Sequence, residues 1–447
     1  MGHQMGSLDL ESLPRWLQTR RWFGGKGRKI ASVRALDVAA LHAGLHVVAL
    51  QVNYADGAAE SYLLPLRPTA DGAIEEGLID DAAARSVLDA IRNRIVLKTE
   101  AGQLKGERFD GPGSPLEKLE AAPAVKRLSA EQSNTSIVFG EQVIVKLIRK
   151  LDRGVNPELE IGAHLARQAF RHTPPLLGAL SLSGALEGTV AVAHRFVKVD
   201  SDGWSWLLAE LRKDLTPRPE LLREIEELGV RVGELHVALA AGDDKAFTPE
   251  PIAAADLQRW TASLQADLDK TVAVASEAVQ GLRAVVPALK TRIGRLASLP
   301  PSGVRIRQHG DLHLGQVLRS HGQWLIFDFE GEPARTFAER RLKSSPLKDV
   351  AGMLRSFAYA AATVEQEGAP PADRAAPLRA SFLRGYQRAA ASLLPDSAAA
   401  AALLDAMELE KLLYELRYEV GHRPDWVRIP ARDLLAAAQV SVTREAP

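Results

Sequence analysis

Gln308-His309-Gly310-Asp311-Leu312-His313-Leu314-Gly315-Gln316 is followed, after a short spacer, by Trp324-Leu325-Ile326-Phe327-Asp328-Phe329-Glu330. The first stretch sets a carboxylate, Asp311, on a tight polar loop, because Gly and Asp both favour turns. An amide, Gln316, follows, and a second carboxylate, Asp328, closes an apolar run of strand character. This order is the one needed to hold a metal–nucleotide and to take a proton from an attacking hydroxyl. It predicts a phosphotransferase with Asp311 as base and with Gln316 and Asp328 as magnesium ligands, Gln316 standing where Asn is usual.

A different chemistry is also written there. His309, Asp311 and His313 form an H-x-D-x-H cluster, and imidazole with carboxylate suits zinc or iron. A metal-dependent hydrolase built on these three residues is therefore the alternative from another class, although it needs ligands from distant loops. A binding module that uses nucleotide only structurally is a third reading, against which the retained Lys146, Asp311, Gln316 and Asp328 argue.

Composition narrows the partners. The chain has 447 residues with 56 basic against 56 acidic side chains, so no global field draws it to nucleic acid or to an anionic membrane. The absence of cysteine excludes a disulfide framework and thiol catalysis. No apolar run reaches the length of a membrane span, and the first residues do not resemble a signal peptide. Cytoplasmic residence is the expectation. The oligomeric state is left open, and a monomer is compatible with the sequence.

The opening third carries strand signals at 33–39, 45–53 and 61–66, with Asp56-Gly57 as a hairpin turn, then a helix over 80–91. Gly111-Pro112-Gly113 marks a break. A second strand set follows at 125–128, 135–139 and 142–148. Beyond about residue 200 the pattern becomes long amphipathic helices, including 219–239, 276–299, 377–393 and 397–419, interrupted by the short hairpin of the opening motif. We expect an α+β, bilobal, kinase-like architecture with a cleft between the lobes. Its parts are a cap subdomain over 1–110, a strand-rich nucleotide lobe over 111–200, and a mostly helical lobe over 201–447.

The nucleotide side rests on two segments. Ser129 to Ser136 is a polar loop between strands, where Ser133, Asn134, Thr135 and Ser136 can offer N–H groups and hydroxyls to phosphate; no Walker-type loop exists in the chain. Lys146 lies among β-branched residues on an apparently buried strand, and a lysine there needs a partner. Aimed at the phosphates of ATP and paired with Glu160 on the next helix, it has one; the other reading is an edge lysine reaching water. By order along the chain, Val197 falls in the connector that meets the adenine.

The run from Gln308 through Glu332-Pro333, then Glu339-Arg340-Arg341 and Ser345 to Phe357, resembles bacterial maltokinases and the related glucosamine kinases. These belong to the aminoglycoside-phosphotransferase-like, eukaryotic-kinase-like superfamily. Glu131 to Ser136, the block Arg21-Trp22-Phe23-Gly24-Gly25-Lys26-Gly27-Arg28, and the stretch from Glu408 to Trp426 extend the resemblance over nearly the whole chain. It implies a bilobal fold with an added cap, ATP as donor, Mg²⁺ as cofactor and a sugar hydroxyl as acceptor. It also places Arg341 in the acceptor region.

Glu330, two residues beyond Asp328 on what reads as the same strand, is a further metal or acceptor candidate. Gln308 and His309 flank the base and have the hydrogen-bonding groups to reach a sugar, His309 alternatively bracing the loop. Glu415 and Glu419 share a helix face with Glu408 and Leu412 and suit a substrate ammonium, although Lys411 is also placed to pair with Glu415. Tyr414, Tyr418 and Trp426 offer flat surfaces to a pyranose ring. The ammonium argument favours glucosamine, phosphorylated on its 6-hydroxyl, over maltose, phosphorylated on its anomeric hydroxyl.

Overall fold

The computed structural model describes residues 11–69, 74–128, 134–184 and 186–443. The chain divides into two compact units, one ending at Lys198 and the other beginning at Val199.

The first unit contains two antiparallel sheets. Strands β1 (Ile30–Ala40), β2 (His46–Tyr54), β3 (Ala59–Pro68) and β4 (Ile74–Glu76) form the first, in that order. The β2–β3 hairpin turns at Asp56-Gly57, as expected; Gly57 takes φ +85, and Arg28 donates to Asp56 across the turn at 2.8 Å. The second sheet comprises β5 (Val96–Lys98), β6 (Gly102–Arg108), β7 (Val125–Arg127), β8 (Thr135–Phe139), β9 (Val143–Leu147), β10 (Leu176–Gly184) and β11 (Gly188–Arg195). Their spatial order is β5-β6-β10-β11-β9-β8-β7.

Helix Asp81–Arg92 starts where the Asp80 carboxylate accepts from the Ala83 N–H at 2.8 Å, a side-chain cap for an otherwise orphan donor. Its apolar positions Val87, Leu88 and Ile91 join one buried cluster with Leu104, Leu180 and Val145. The 1–110 span expected for the cap includes strands of the second sheet. β6 is hydrogen-bonded to β10 from Arg108↔Gly178 to Gly102↔Gly184, so residues 96–108 belong to the second sheet. Backbone pairing overrides chain order here.

The second unit is mostly helical. Helix Pro219–Leu239 packs with Ala375–Ala390, and Leu347–Gln366 with Ser397–His422. Ala254–Ala275 and Leu347–Gln366 went unnamed in the periodicity reading, and the helix expected at 276 starts at Leu282 instead, after Gly281 at φ +85. Set among these helices is a three-stranded sheet of Ser201–Asp202, Val317–Ser320 and Gln323–Ile326, with Val317–Ser320 in the middle. Trp324, 1% exposed, anchors this hairpin and donates from Nε1 to the Glu224 carbonyl at 3.2 Å.

Candidate active site

Arg307, Gln308 and His309 are buried, and the chain then turns at Gly310 with φ +85, a conformation that costs a Cβ-bearing residue. Asp311 follows at the surface of a pocket. Asp349, 2% exposed on helix Leu347–Gln366, holds this loop. Its carboxylate accepts from the His309 and Gly310 N–H groups, each at 2.9 Å, and from His236 Nε2 at 3.1 Å. Tyr386 completes the chain, its hydroxyl 2.8 Å from His236 Nδ1. Burial alone would raise the Asp349 pKa, but the His236 and loop N–H bonds hold it below the ordinary carboxylate range. The same helix approaches the loop so closely that a Cβ at Gly352 would sit 2.4 Å from the Leu312 carbonyl oxygen.

His309 braces rather than reacts. Nε2 donates to the Phe327 carbonyl at 2.9 Å, and Nδ1 faces the Asp311 N–H at 3.4 Å, tying the base loop to the segment bearing Asp328. His313 Nδ1 accepts from the Gly315 N–H at 2.9 Å, and burial lowers its pKa. With both ring nitrogens of His309 and Nδ1 of His313 engaged by backbone, the H-x-D-x-H hydrolase reading is weakened. Among the described residues no group of three His, Cys, Asp or Glu side chains is placed to hold a metal in that manner.

Gln316 closes a single turn after His313, and its Nε2 lies 3.1 Å from Asp328 Oδ2. Asp328 takes φ +66, uncommon for a non-glycine residue. The two predicted metal ligands are thus adjacent. Glu330 is not on the strand: Gln323–Ile326 ends first, and Glu330 falls in the following turn, its carbonyl accepting from Arg340 at 3.1 Å. The period-of-two argument fails for it because the chain leaves extended geometry at Asp328.

The pocket at Asp311 is lined by Glu332, Arg335, Lys348, Glu410, Lys411 and Tyr414; of these the sequence pointed only to Tyr414, as a flat surface for the sugar ring. Lys411 Nζ lies 2.9 Å from Asp311 Oδ1. Burial would lower the Lys411 pKa, but Asp311 and Glu332 hold it above its usual value. Arg335 and Lys348 both reach Glu410 Oε1, at 2.7 and 2.8 Å. Burial raises Glu332. The missed signal was helical spacing: Glu410, Lys411 and Tyr414 follow i, i+1, i+4, and the face they share turns toward the loop.

Several substrate expectations need correction. Glu415 is bound to Arg355 at 2.8 Å, and Arg355, 5% exposed, also reaches Asp433 at 2.8 Å. Glu419 is 2% exposed, accepting from the Tyr359 hydroxyl at 3.0 Å and pairing with Arg423 at 2.6 Å. Both carboxylates are structural counter-ions, and Lys411 pairs with Asp311 instead of Glu415. Gln308 is buried, and its Nε2 donates to the Ser345 carbonyl. Arg341 lies beside the Phe337 ring, 5.5 Å away, and does not line the pocket. Trp426 packs with Tyr359, Ala362 and Ile429, whereas Tyr418 is 40% exposed and stacks on His422.

On the nucleotide side, Ser136 pairs with Lys146 across β8 and β9, so these two share a face. Thr135 lies on the other face, where its hydroxyl accepts from Arg149 Nε at 3.0 Å, and Asn134 Oδ1 accepts from the Arg149 N–H at 3.2 Å. Those two side chains are thereby spent on Arg149 rather than offered to phosphate. Ser133 lies outside the described residues. Helix Pro157–Arg167 carries both acids: Glu158 is buried and lies 3.2 Å from His194, and Glu160 is half-buried. Val197 sits in irregular chain just before Lys198, where the first unit ends.

Residues 124–403 match the model of the phosphotransferase enzyme family. The chain belongs to that family. Residues 16–92 of this phosphotransferase match the maltokinase N-terminal cap domain, which agrees with a cap that ends before β5. Glucosamine kinase of Mycolicibacterium smegmatis is 31% identical over 327 residues, 70% of this chain and 79% of the relative. Glucosamine kinase of Streptacidiphilus jiangxiensis is 28% identical over 395 residues, 85% and 86% of the two chains. A solved glucosamine kinase in complex with glucosamine, ADP and inorganic phosphate has a TM-score of 0.71 to this phosphotransferase at 24% identity, covering 95% of this chain and 98% of its own. The fold is accordingly kinase-like, with strand-rich nucleotide elements, a helical part and an added cap.

Proposed function

We propose that this phosphotransferase moves the γ-phosphoryl group of ATP to the 6-hydroxyl of glucosamine. The observation that carries the reading is Asp311, held on a clamped loop beside the Gln316–Asp328 pair and facing a pocket of mixed charge. Two curated relatives that are glucosamine kinases support the acceptor.

Asp311 orients the acceptor hydroxyl and takes its proton as the oxygen attacks. Because the transition state of phosphoryl transfer is loose, positioning and electrostatics supply most of the acceleration. Lys411, bound to one oxygen of Asp311, fixes the carboxylate and leaves its second oxygen for the hydroxyl. Glu332, which meets Arg335 only at 3.5 Å, is the pocket carboxylate left for an amino sugar's ammonium, since Glu410, Glu415 and Glu419 are each held in closer ion pairs. Lys146 neutralises phosphate charge.

An amide and a carboxylate form an all-oxygen donor set, which fits a hard cation such as Mg²⁺. Gln316 and Asp328 would hold it, and when bound it neutralises charge on the phosphates.

An acceptor screen with ATP tests the assignment, comparing glucosamine, maltose, glucose and aminoglycosides. Glucosamine should give the highest kcat/KM; faster turnover of maltose would transfer the assignment to maltokinase chemistry.

A further inference from the structure

We propose that the cap-bearing unit holds a second ligand site, separate from the transfer machinery, that takes a small phosphate-bearing molecule. A cavity of about 320 Å³ is lined by Arg20, Arg21, Trp22, Glu76, Thr135 and Arg149, with Arg127 at its edge. Arg149 is 2% exposed, an unusual position for a guanidinium. Its Nε and Nη2 donate to the Thr135 hydroxyl at 3.0 and 2.8 Å, Nη2 lies 3.1 Å from Glu76, and Nη1 has no hydrogen-bond partner. A buried donor left unsatisfied costs free energy that a ligand acceptor recovers.

The local charge is unbalanced in the same sense. Arg127 is paired with Asp81 at 2.8 Å, and Glu76 is engaged by Arg149. Arg20 donates from Nε to Thr19 Oγ1 at 3.1 Å and lies over the Trp16 ring, and neither Arg20 nor Arg21 has an ion-pair partner among the described residues. Burial lowers the Arg149 pKa, and the nearby charge of Arg20 lowers it further. A dianion would relieve both. Phosphate fits best, because a guanidinium fork matches its oxygens two at a time. The cavity, which Trp22 lines, exceeds a bare ion, so a phosphate that carries a small organic group such as a sugar is the class that fits.

The site is distinct from the nucleotide face. Ser136 and Lys146 occupy one side of the β8–β9 ladder, Thr135 and Leu147 the other, and Leu147 is buried in the core cluster shared with helix Asp81–Arg92. It also gives a purpose to Arg21-Trp22, which line this cavity.

Calorimetric titration of the full chain with inorganic phosphate and with glucose 6-phosphate tests the proposal. We expect saturable binding, tighter for the sugar phosphate, that the Arg20→Gln/Arg21→Gln variant weakens about tenfold or more and that Lys146→Met leaves unchanged. Arg21 is exposed, so the single Arg21→Gln variant carries the same test if the double variant melts early. No saturable binding by about 10 mM ligand, a weak affinity on any scale, would overturn it. So would binding lost in Lys146→Met or retained in the arginine variants.

Discussion

Lys411 Nζ lies 2.9 Å from Asp311 Oδ1, joining the helix Ser397–His422 to the loop that carries Asp311. The pair is mostly enclosed, with side-chain exposures of 19% and 18%, so solvent screens it less than a surface bridge. Lys411→Met should lower kcat about tenfold or more, by releasing Asp311 from its orientation, while the KM for ATP changes little. Lys411→Arg should recover part of the loss. Steady-state kinetics with both substrates varied provide the check, and an unchanged kcat in the Met variant would remove the positioning role.

Asp311→Asn keeps shape but removes the proton acceptor. Turnover should fall by roughly 10²-fold or more, the contribution typical of a positioned base, with ATP affinity near that of the wild type by calorimetry. Wild-type rates would remove the base assignment.

Glu415→Gln tests the corrected role of that carboxylate. If Glu415 serves Arg355, the variant should lower Tm and affect glucosamine and neutral acceptors alike. Removing one partner of a buried ion pair costs about 3–5 kcal/mol, and the second partner, Asp433, moderates the loss. A KM rise confined to the amino sugar would restore Glu415 to the acceptor site.

Gly352→Ala should damage the site without touching a reacting group. A Cβ there meets the Leu312 carbonyl oxygen at 2.4 Å, a backbone atom that cannot swing aside. We expect a lower Tm and a reduced kcat together. An unaltered melting curve would contradict the close approach of helix and loop.

Glu60 gives a pH signature in the first unit. It accepts from the Tyr54 and Tyr62 hydroxyls, each at 2.6 Å, and from Lys150 at 2.8 Å. Burial opposes its charge, but these bonds bring its pKa down to about 2 from 4.5. The folded value is the lower one, so the stabilisation is complete above the unfolded value and is lost as pH falls from 4.5 toward 2. The Tm gap between wild type and Glu60→Gln should therefore be widest near neutrality and close on acidification. A gap constant down to pH of about 3 would rule this out.

Local chemistry was legible in the order of residues. Gly310 and Asp311 announce a turn, Gln316 and Asp328 follow at the spacing a metal–nucleotide loop needs, and Asp56-Gly57 and Asn156-Pro157 mark a hairpin and a helix start through backbone preferences that act within a few residues. What a charged side chain pairs with is set by neighbours far along the chain. Glu415 and Glu419 looked available because helical spacing reveals which residues share a face, not what packs against it. The partners of Asp349, His236 and Lys411 were hidden for the same reason: they lie 40, 113 and 100 positions away. The sequence by itself determined the kind of chemistry and singled out Asp311 as the proposed base. Tertiary packing decided which carboxylates remain free to act, since a buried charge takes whichever partner the fold brings within reach.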